Sequence, residues 1–382
     1  MTQPLHTRRS VLGALAAASL TLGCGRRSEE QTVEVPTPEP AQGTAAEAAQ
    51  RGVTWLLGAQ GEDGRWRSET YGFMSRGESL TPFVLKALLT APDLTRLTDA
   101  VGRGLNACLQ MANDDGALGF GGPAPDYPVY ATALALSCLG RVRPAGWLKV
   151  ATPLRQWLVT QQFGSAWRGH TALGGFGMGW QKRPVPPNAG HVDLSMTRRA
   201  LEALRDTGSD VGDPAFRLGN RFLAACQAQD GGYLYSPVET ALNKGLVADD
   251  VQASYGTATA DGLLASFAVW GPGWADLSPR PTTISRALTR LHAIHRVDEN
   301  PGVRGGPMEP FAMAMRGYYR AAAAEVFRLA GGPEGWREQL IEAVLAEQKD
   351  NGRWESESPL QKENDPLIAT AFAVSALHHA LS

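Results

Sequence analysis

Three stretches of the chain carry one pattern: a glutamine, a glycine four residues later and an aromatic residue two beyond that. They are QGEDGRW (Gln60, Gly64, Trp66), QAQDGGY (Gln227, Gly231, Tyr233) and QKDNGRW (Gln348, Gly352, Trp354). Looser versions occur at QMANDDGALGF and at QQFGSAWRGHTALGGFGMGW. An internal repeat of this size constrains the whole architecture. Each stretch closes a segment of helical period and is followed by a polar loop and a second, more apolar helical segment. The chain therefore reads as six helix pairs. First members are predicted at 45–59, 97–111, 151–162, 214–228, 282–295 and 335–348, and second members at 79–90, 129–139, 193–206, 254–270, 310–328 and 366–381.

The two sets differ in character. The first carries Arg, Gln, Asn and Glu among its leucines, whereas the second is rich in Ala, Gly, Thr and Ser. A helix packed on both sides needs small residues all round, and a helix with a wet face needs polar residues on that face. The second set is therefore the inner ring of an all-α double ring, a single-domain α/α toroid spanning 45–382 with six outer and six inner helices. A glutamine and an aromatic at the end of each outer helix suit a repeated clamp, the ring packing on neighbouring helices and the amide satisfying loose carbonyls at the helix end. On these residues the chain resembles the squalene cyclase and protein prenyltransferase superfamily, whose hallmark is a repeated Gln, Gly and Trp element. The resemblance covers roughly 45–382 and implies the toroid fold; squalene cyclases have two such domains and this chain has room for one. Fold alone does not fix function.

The N-terminal 1–23 are read apart from the fold. Arg8 and Arg9 open an apolar stretch that ends at Cys24, a pattern expected of a bacterial export signal. The paired arginines resemble the twin-arginine type, and TLGC resembles a lipoprotein box with Cys24 as the site of lipid attachment. The expected localisation is extracytoplasmic, with the membrane as partner through that anchor. Residues 24–44 are charged, contain proline and lack hydrophobic period, as expected of a flexible linker. No apolar run reaches the roughly 18 residues needed to cross a bilayer. A net charge of −2 without a Lys/Arg block in the body leaves no footprint for nucleic acid. Cys108, Cys138 and Cys226 lie in apolar helical runs and are odd in number, so they read as small core residues.

In a toroid the inner faces and N-terminal ends of the inner helices line the central cavity, where a site is sought. The richest segment is GHVDLSMTRRALEAL, with His191, Asp193, Ser195 and Thr197. Cyclases protonate an alkene with an Asp-x-Asp-Asp-Thr element at the head of an inner helix. Laid on that element, this chain keeps Asp193 and Thr197 but has Ser195 and Met196 where the acid and its partner belong, and a hydroxyl cannot do that acid's work. Prenyltransferases hold zinc with Asp-x-Cys and a distant His. Here Ser195 replaces the sulfur ligand, and His378 and His379 lie near the far end of the last helix, away from Asp365. No metal and no other cofactor is expected.

Several carboxylates remain open. Asp193 is either the N-cap of its helix, worth about 1 kcal/mol, or a catalytic group with His191. Asp249 and Asp250 either solvate the loop before the fourth inner helix or act on a substrate. Asp261 sits mid-helix among Ala, Gly and Thr and must face water or find partners; in a cavity, desolvation would raise its pKa. Tyr130 and Tyr255 are candidates to stack on a ligand, and Phe311 and Met313 to form a soft apolar wall. The favoured reading is a toroid without either family catalytic set that binds an apolar or isoprenoid-like small molecule or serves as a scaffold. The alternative is an extracytoplasmic enzyme, terpenoid cyclase-like or polysaccharide-cleaving, that uses cavity carboxylates on a terpenoid or a glycan.

Overall fold

The computed structural model describes residues 43–179, 183–248, 251–277, 281–303 and 305–382. The segment expected to be an export signal, Cys24 and nearly all of the expected linker lie outside the described residues, as do Asp249 and Asp250. The helices are α1 (Ala45–Gly58), α2 (Leu80–Leu88), α3 (Thr98–Met111), α4 (Pro128–Val142), α5 (Trp147–Thr160), α6 (Leu194–Asp206), α7 (Pro214–Cys226), α8 (Gly256–Trp270), α9 (Thr282–Ile294), α10 (Phe311–Ala314), α11 (Arg316–Ala330), α12 (Trp336–Leu345) and α13 (Pro366–Leu381). Two short hairpins decorate the loops: β1 (Phe176–Gly177) with β2 (Val192–Asp193), and β3 (Val247–Ala248) with β4 (Val251–Gln252), both antiparallel.

Helices α2, α4, α6, α8, α11 and α13 each pack on the next, and α13 returns to α2, which closes the inner ring. The outer helices α1, α3, α5, α7, α9 and α12 pack against it from outside. Every residue of α8 except Trp270 is buried, so its Gly, Ala and Thr content follows from contact on all sides. Outer α1 instead leaves Glu47, Gln50 and Thr54 in solvent.

The expected clamp exists, with its two polar groups exchanged. The indole N–H satisfies the last-turn carbonyl: Trp66 Nε1 donates to Leu56 O at 2.7 Å and Trp354 Nε1 to Val344 O at 2.8 Å. The glutamine amide instead joins consecutive outer helices. Gln60 Nε2 donates to the carbonyls of Gly64 and Ala100, Gln227 to Gly231 and Thr283, and Gln348 to Gly352 and Ala48, all at 2.8–3.0 Å. The last of these ties α12 back to α1. Gly64 has φ +82°, and a Cβ there would lie 2.4 Å from the carbonyl oxygen of Arg103 on α3. Glycine is required because the turn is left-handed and the next helix abuts it.

A threonine in the first two turns of an inner helix completes the unit in five of the six, α11 having none. Its Oγ1 accepts the backbone N–H of the aromatic position: Thr81 from Trp66 at 3.1 Å, Thr197 from Phe176 at 3.0 Å, Thr259 from Tyr233 at 3.2 Å and Thr370 from Trp354 at 3.0 Å. Thr132 does the same for Leu118 at 2.9 Å.

Free N–H groups at the heads of the inner helices are satisfied by the loop that precedes the next inner helix. Asp126, ahead of α4, accepts from Ser79 at the head of α2; the Met178 carbonyl accepts from Val129 of α4, and that of Tyr235 from Leu194 of α6. Asn300 accepts from Thr257 of α8, and Glu363 from Gly317 and Tyr318 of α11. Ser68, ahead of α2, hydrogen-bonds Asp365, the cap of α13.

One predicted helix is broken. The span 310–328 divides at Met315, whose φ of −117° and ψ of 17° leave the helical region between α10 and α11. The break frees the amides of Gly317 and Tyr318 for Glu363 and presents the Ala312 carbonyl to the N–H of Asn300 at 2.8 Å. Tertiary capping overrides the local period.

Candidate functional site

The heads of the inner helices surround a cavity of about 310 Å³. Each inner helix contributes from its first turns, for example Phe83 of α2, Tyr130 of α4, Ser195 of α6, Asp261 of α8, Tyr318 of α11 and Phe372 of α13. Its wall is aromatic and sulfur-rich. Tyr318 stacks on Phe372 at 5.3 Å between centroids, Phe372 meets Phe83 edge-on at 5.1 Å, and Met74, Met178, Met196 and Met315 fill between the rings.

Behind the wall at Asp261 lies an ion network. Arg198 of α6, 2% exposed, donates Nη1 to Asp261 at 2.8 Å, Nε to Glu202 at 2.6 Å and Nη2 to Glu325 at 2.7 Å. Lys86 pairs with Glu202, and Arg199 reaches Glu202 at 3.1 Å. Three cations thus face three carboxylates. Burial pushes Glu202 up, but Arg198, Lys86 and Arg199 outweigh it and hold the carboxyl well below its ordinary range. For Asp261 burial prevails and raises the pKa against the pull of Arg198 and Arg199. Both Asp261 oxygens nevertheless accept hydrogen bonds, Oδ1 from Arg198 and Oδ2 from the Tyr318 hydroxyl at 2.6 Å, and Ser195 Oγ lies 3.0 Å from the same hydroxyl. Asp261, which had to face water or find partners, has found them.

The wall beside α6 carries His191. Its Nε2 lies 2.6 Å from Asp193 Oδ2 and 3.2 Å from the Tyr235 hydroxyl, while Nδ1 faces Glu239. Burial lowers the imidazole pKa, yet Asp193 and Glu239 overcome that and raise it above its ordinary value. Asp193 is fully buried and serves two partners: Oδ1 caps α6 through the Met196 N–H at 2.8 Å, and Oδ2 holds His191. Opposite, Glu363 lines the cavity, 3% exposed, and burial pushes its pKa up to about 7 although it accepts two helix-head amides.

Tyr130 and Tyr255 border the cavity. Phe311 and Met313 are not among its lining residues: the break at Met315 puts α10 at the rim, where Met313 is 49% exposed and the Phe311 ring carries the ammonium of Lys244. Thr197, the residue that aligns with the threonine of the cyclase element, is fully buried and does what Thr81, Thr259 and Thr370 do in other repeats. Ser195 and Met196 do line the cavity. Cys108, Cys138 and Cys226 are buried free thiols, and among the described residues no group of three His, Cys, Asp or Glu is placed to hold a metal ion.

Sequence reading missed Arg198, Arg199, Glu202 and Lys86. On an amphipathic pattern the charged residues of α6 belong on a wet face, yet all three are buried. The available signal was their place on an inner helix, which has no wet face and so forces charges to pair.

No family model matches the chain, and no curated protein sequence does. Solved structures do. A protein from Actinoplanes superposes with a TM-score of 0.58 at 16% identity, over 89% of this chain and 100% of that one. A single-site variant of the type II terpene cyclase MstE from Scytonema, in complex with merosterolic acid A as product, gives 0.57 at 15% identity over 88% and 96%. An α-1,6-mannanase, GH76A of Salegentibacter sp., gives 0.57 at 10% identity over 88% and 99%. At such identities the likeness is one of fold, and the fold is the terpenoid cyclase-like α/α toroid.

Proposed function

We propose that this terpenoid cyclase-like toroid is an exported, lipid-anchored binding protein whose central cavity takes a small molecule with an apolar, isoprenoid-like body. The observation that carries the reading is the cavity's composition: the contacting rings of Phe83, Tyr318 and Phe372 with four methionines make an adaptable apolar wall in a space at the lower end of drug-sized pockets, about 300–1,000 Å³. Against alkene protonation stands Asp261, whose oxygens both accept hydrogen bonds, one from a guanidinium. Such a carboxyl has no proton free to give. Ser195 and Met196 offer none in its place.

Export and attachment at Cys24 belong to the proposal because a lipid anchor would hold the cavity beside a source of apolar ligand. Native mass spectrometry of protein extracted gently from its source membrane tests the binding half. A co-purifying apolar molecule that Phe372→Asp abolishes is the expected result; an empty cavity in the folded protein overturns it. Metabolic labelling with radioactive palmitate tests the anchor, with label expected on the wild type and absent from Cys24→Ser.

One observation favours a second, catalytic reading. His191, held between Asp193 and Glu239 on the cavity wall, has the arrangement of a general acid or base. Under that reading a bound terpenoid or glycan is converted and His191→Gln abolishes turnover while leaving binding intact; under simple binding no product forms with either protein.

A further inference from the structure

Apart from that charge-balanced network, the cavity holds an ammonium with no carboxylate in ion-pair contact among the described residues. Lys244 lines the mouth and is 7% exposed. Its Nζ donates to the Leu242 carbonyl at 3.1 Å and lies 4.8 Å from the centroid of Tyr235 and 5.1 Å from that of Phe311. No carboxylate among the described residues is within ion-pair distance. An ammonium has three N–H donors, and one is used here.

Neighbouring acids are committed elsewhere. Asp193 serves the Met196 amide and His191, Glu239 faces His191, and both Glu363 oxygens hold helix-head amides. Across the mouth Lys362 repeats the arrangement, its Nζ 5.6 Å from the Tyr127 centroid, 5.8 Å from Phe73 and 6.0 Å from Tyr71. It too has no carboxylate partner among the described residues. Aromatic faces stabilise a desolvated ammonium only in part, and a buried cation is otherwise found paired.

We infer that Lys244 is the head-group subsite of this cavity and that the ligand is an amphiphile bearing a carboxylate or phosphate, its apolar body lying between Phe83, Tyr318 and Phe372. The inference rests on the proposed ligand-binding role and adds the charge of the ligand to it. An anion at Lys244 would accept the two remaining N–H groups and supply the missing counter-charge. Lys362 would add attraction from the far rim.

Calorimetric titration of the full chain with dodecanol, dodecanoate and dodecyl phosphate tests it, the three probes sharing one apolar body. The wild type is expected to bind at least one anionic probe roughly tenfold or more tighter than the alcohol. The tighter of the two identifies the head group. Lys244→Met is expected to remove most of that preference, weakening the anionic probe far more than dodecanol. Lys362→Gln, on the rim, is expected to reduce the preference without erasing it, so a poorly folding Lys244→Met does not decide the matter. Equal binding of alcohol and anions by the wild type, or a preference that survives Lys244→Met undiminished, overturns the subsite while leaving apolar binding in place. Failure of all three probes to bind overturns both.

Discussion

Thr197 is the residue on which a scaffold role and a catalytic role make opposite forecasts, and replacement by valine separates them. Valine keeps the shape of the side chain and removes the hydroxyl, which accepts the buried Phe176 N–H at 3.0 Å and donates to the Asp193 carbonyl at 2.7 Å. Leaving that amide unsatisfied costs about 1–3 kcal/mol. Thr259→Val and Thr370→Val remove the same acceptor from Tyr233 and Trp354, so the three variants should lose similar stability. For a domain of about 340 residues the unfolding entropy is roughly 0.7 kcal/mol/K, and the loss becomes a fall in Tm of about 1.5–4 °C in each variant. Calorimetric melting of the three variants, with the ligand titration run in parallel, is the assay. The reasoning is refuted if Thr197→Val keeps the wild-type Tm and alone loses binding or turnover, for the hydroxyl would then act on a ligand and not on the repeat.

Four further outcomes are expected. In urea unfolding, Arg198→Met should cost about 3–5 kcal/mol, more than Asp261→Asn, because the arginine withdraws its charge from three carboxylates at once while Asp261 is one contact of three. The His191 imidazole has its pKa raised from 6.5, so its stabilisation is full below that value and is lost as pH rises through the higher folded value; its ring-proton shift should titrate above 6.5, and above the midpoint of Glu239→Gln. Glu363, raised from 4.5 to about 7, makes stability fall as pH climbs through that window, and Glu363→Gln should flatten this part of the profile. Gly64→Ala, which sets a Cβ 2.4 Å from the Arg103 carbonyl oxygen at φ +82°, should cost at least about 2 kcal/mol by the same urea assay, whereas the open Gly102 on α3 should tolerate alanine.

Much of this architecture was legible before any coordinates. Twelve helical segments, their alternation of wet and dry character and the Gln, Gly and aromatic signature are local properties, and local periodicity carries them. The cap at Asp193 was legible for the same reason, since the acceptor and the Met196 amide lie three residues apart. The division of 310–328 was not, because its partners Glu363 and Asn300 come from other loops.

The chain by itself determined that its inner helices would be built of small residues and close into a ring, because helices packed on both sides have room for nothing else. Only the tertiary structure decided which charges meet inside that ring. Arg198 finds Asp261 across 63 positions and Glu325 across 127, and Lys86 finds Glu202 across 116. No spacing along the chain encodes those pairings. They follow from ring closure, which takes the charged residues of α6 out of water, pairs those behind the wall and leaves Lys244 at the mouth without a carboxylate in ion-pair contact among the described residues.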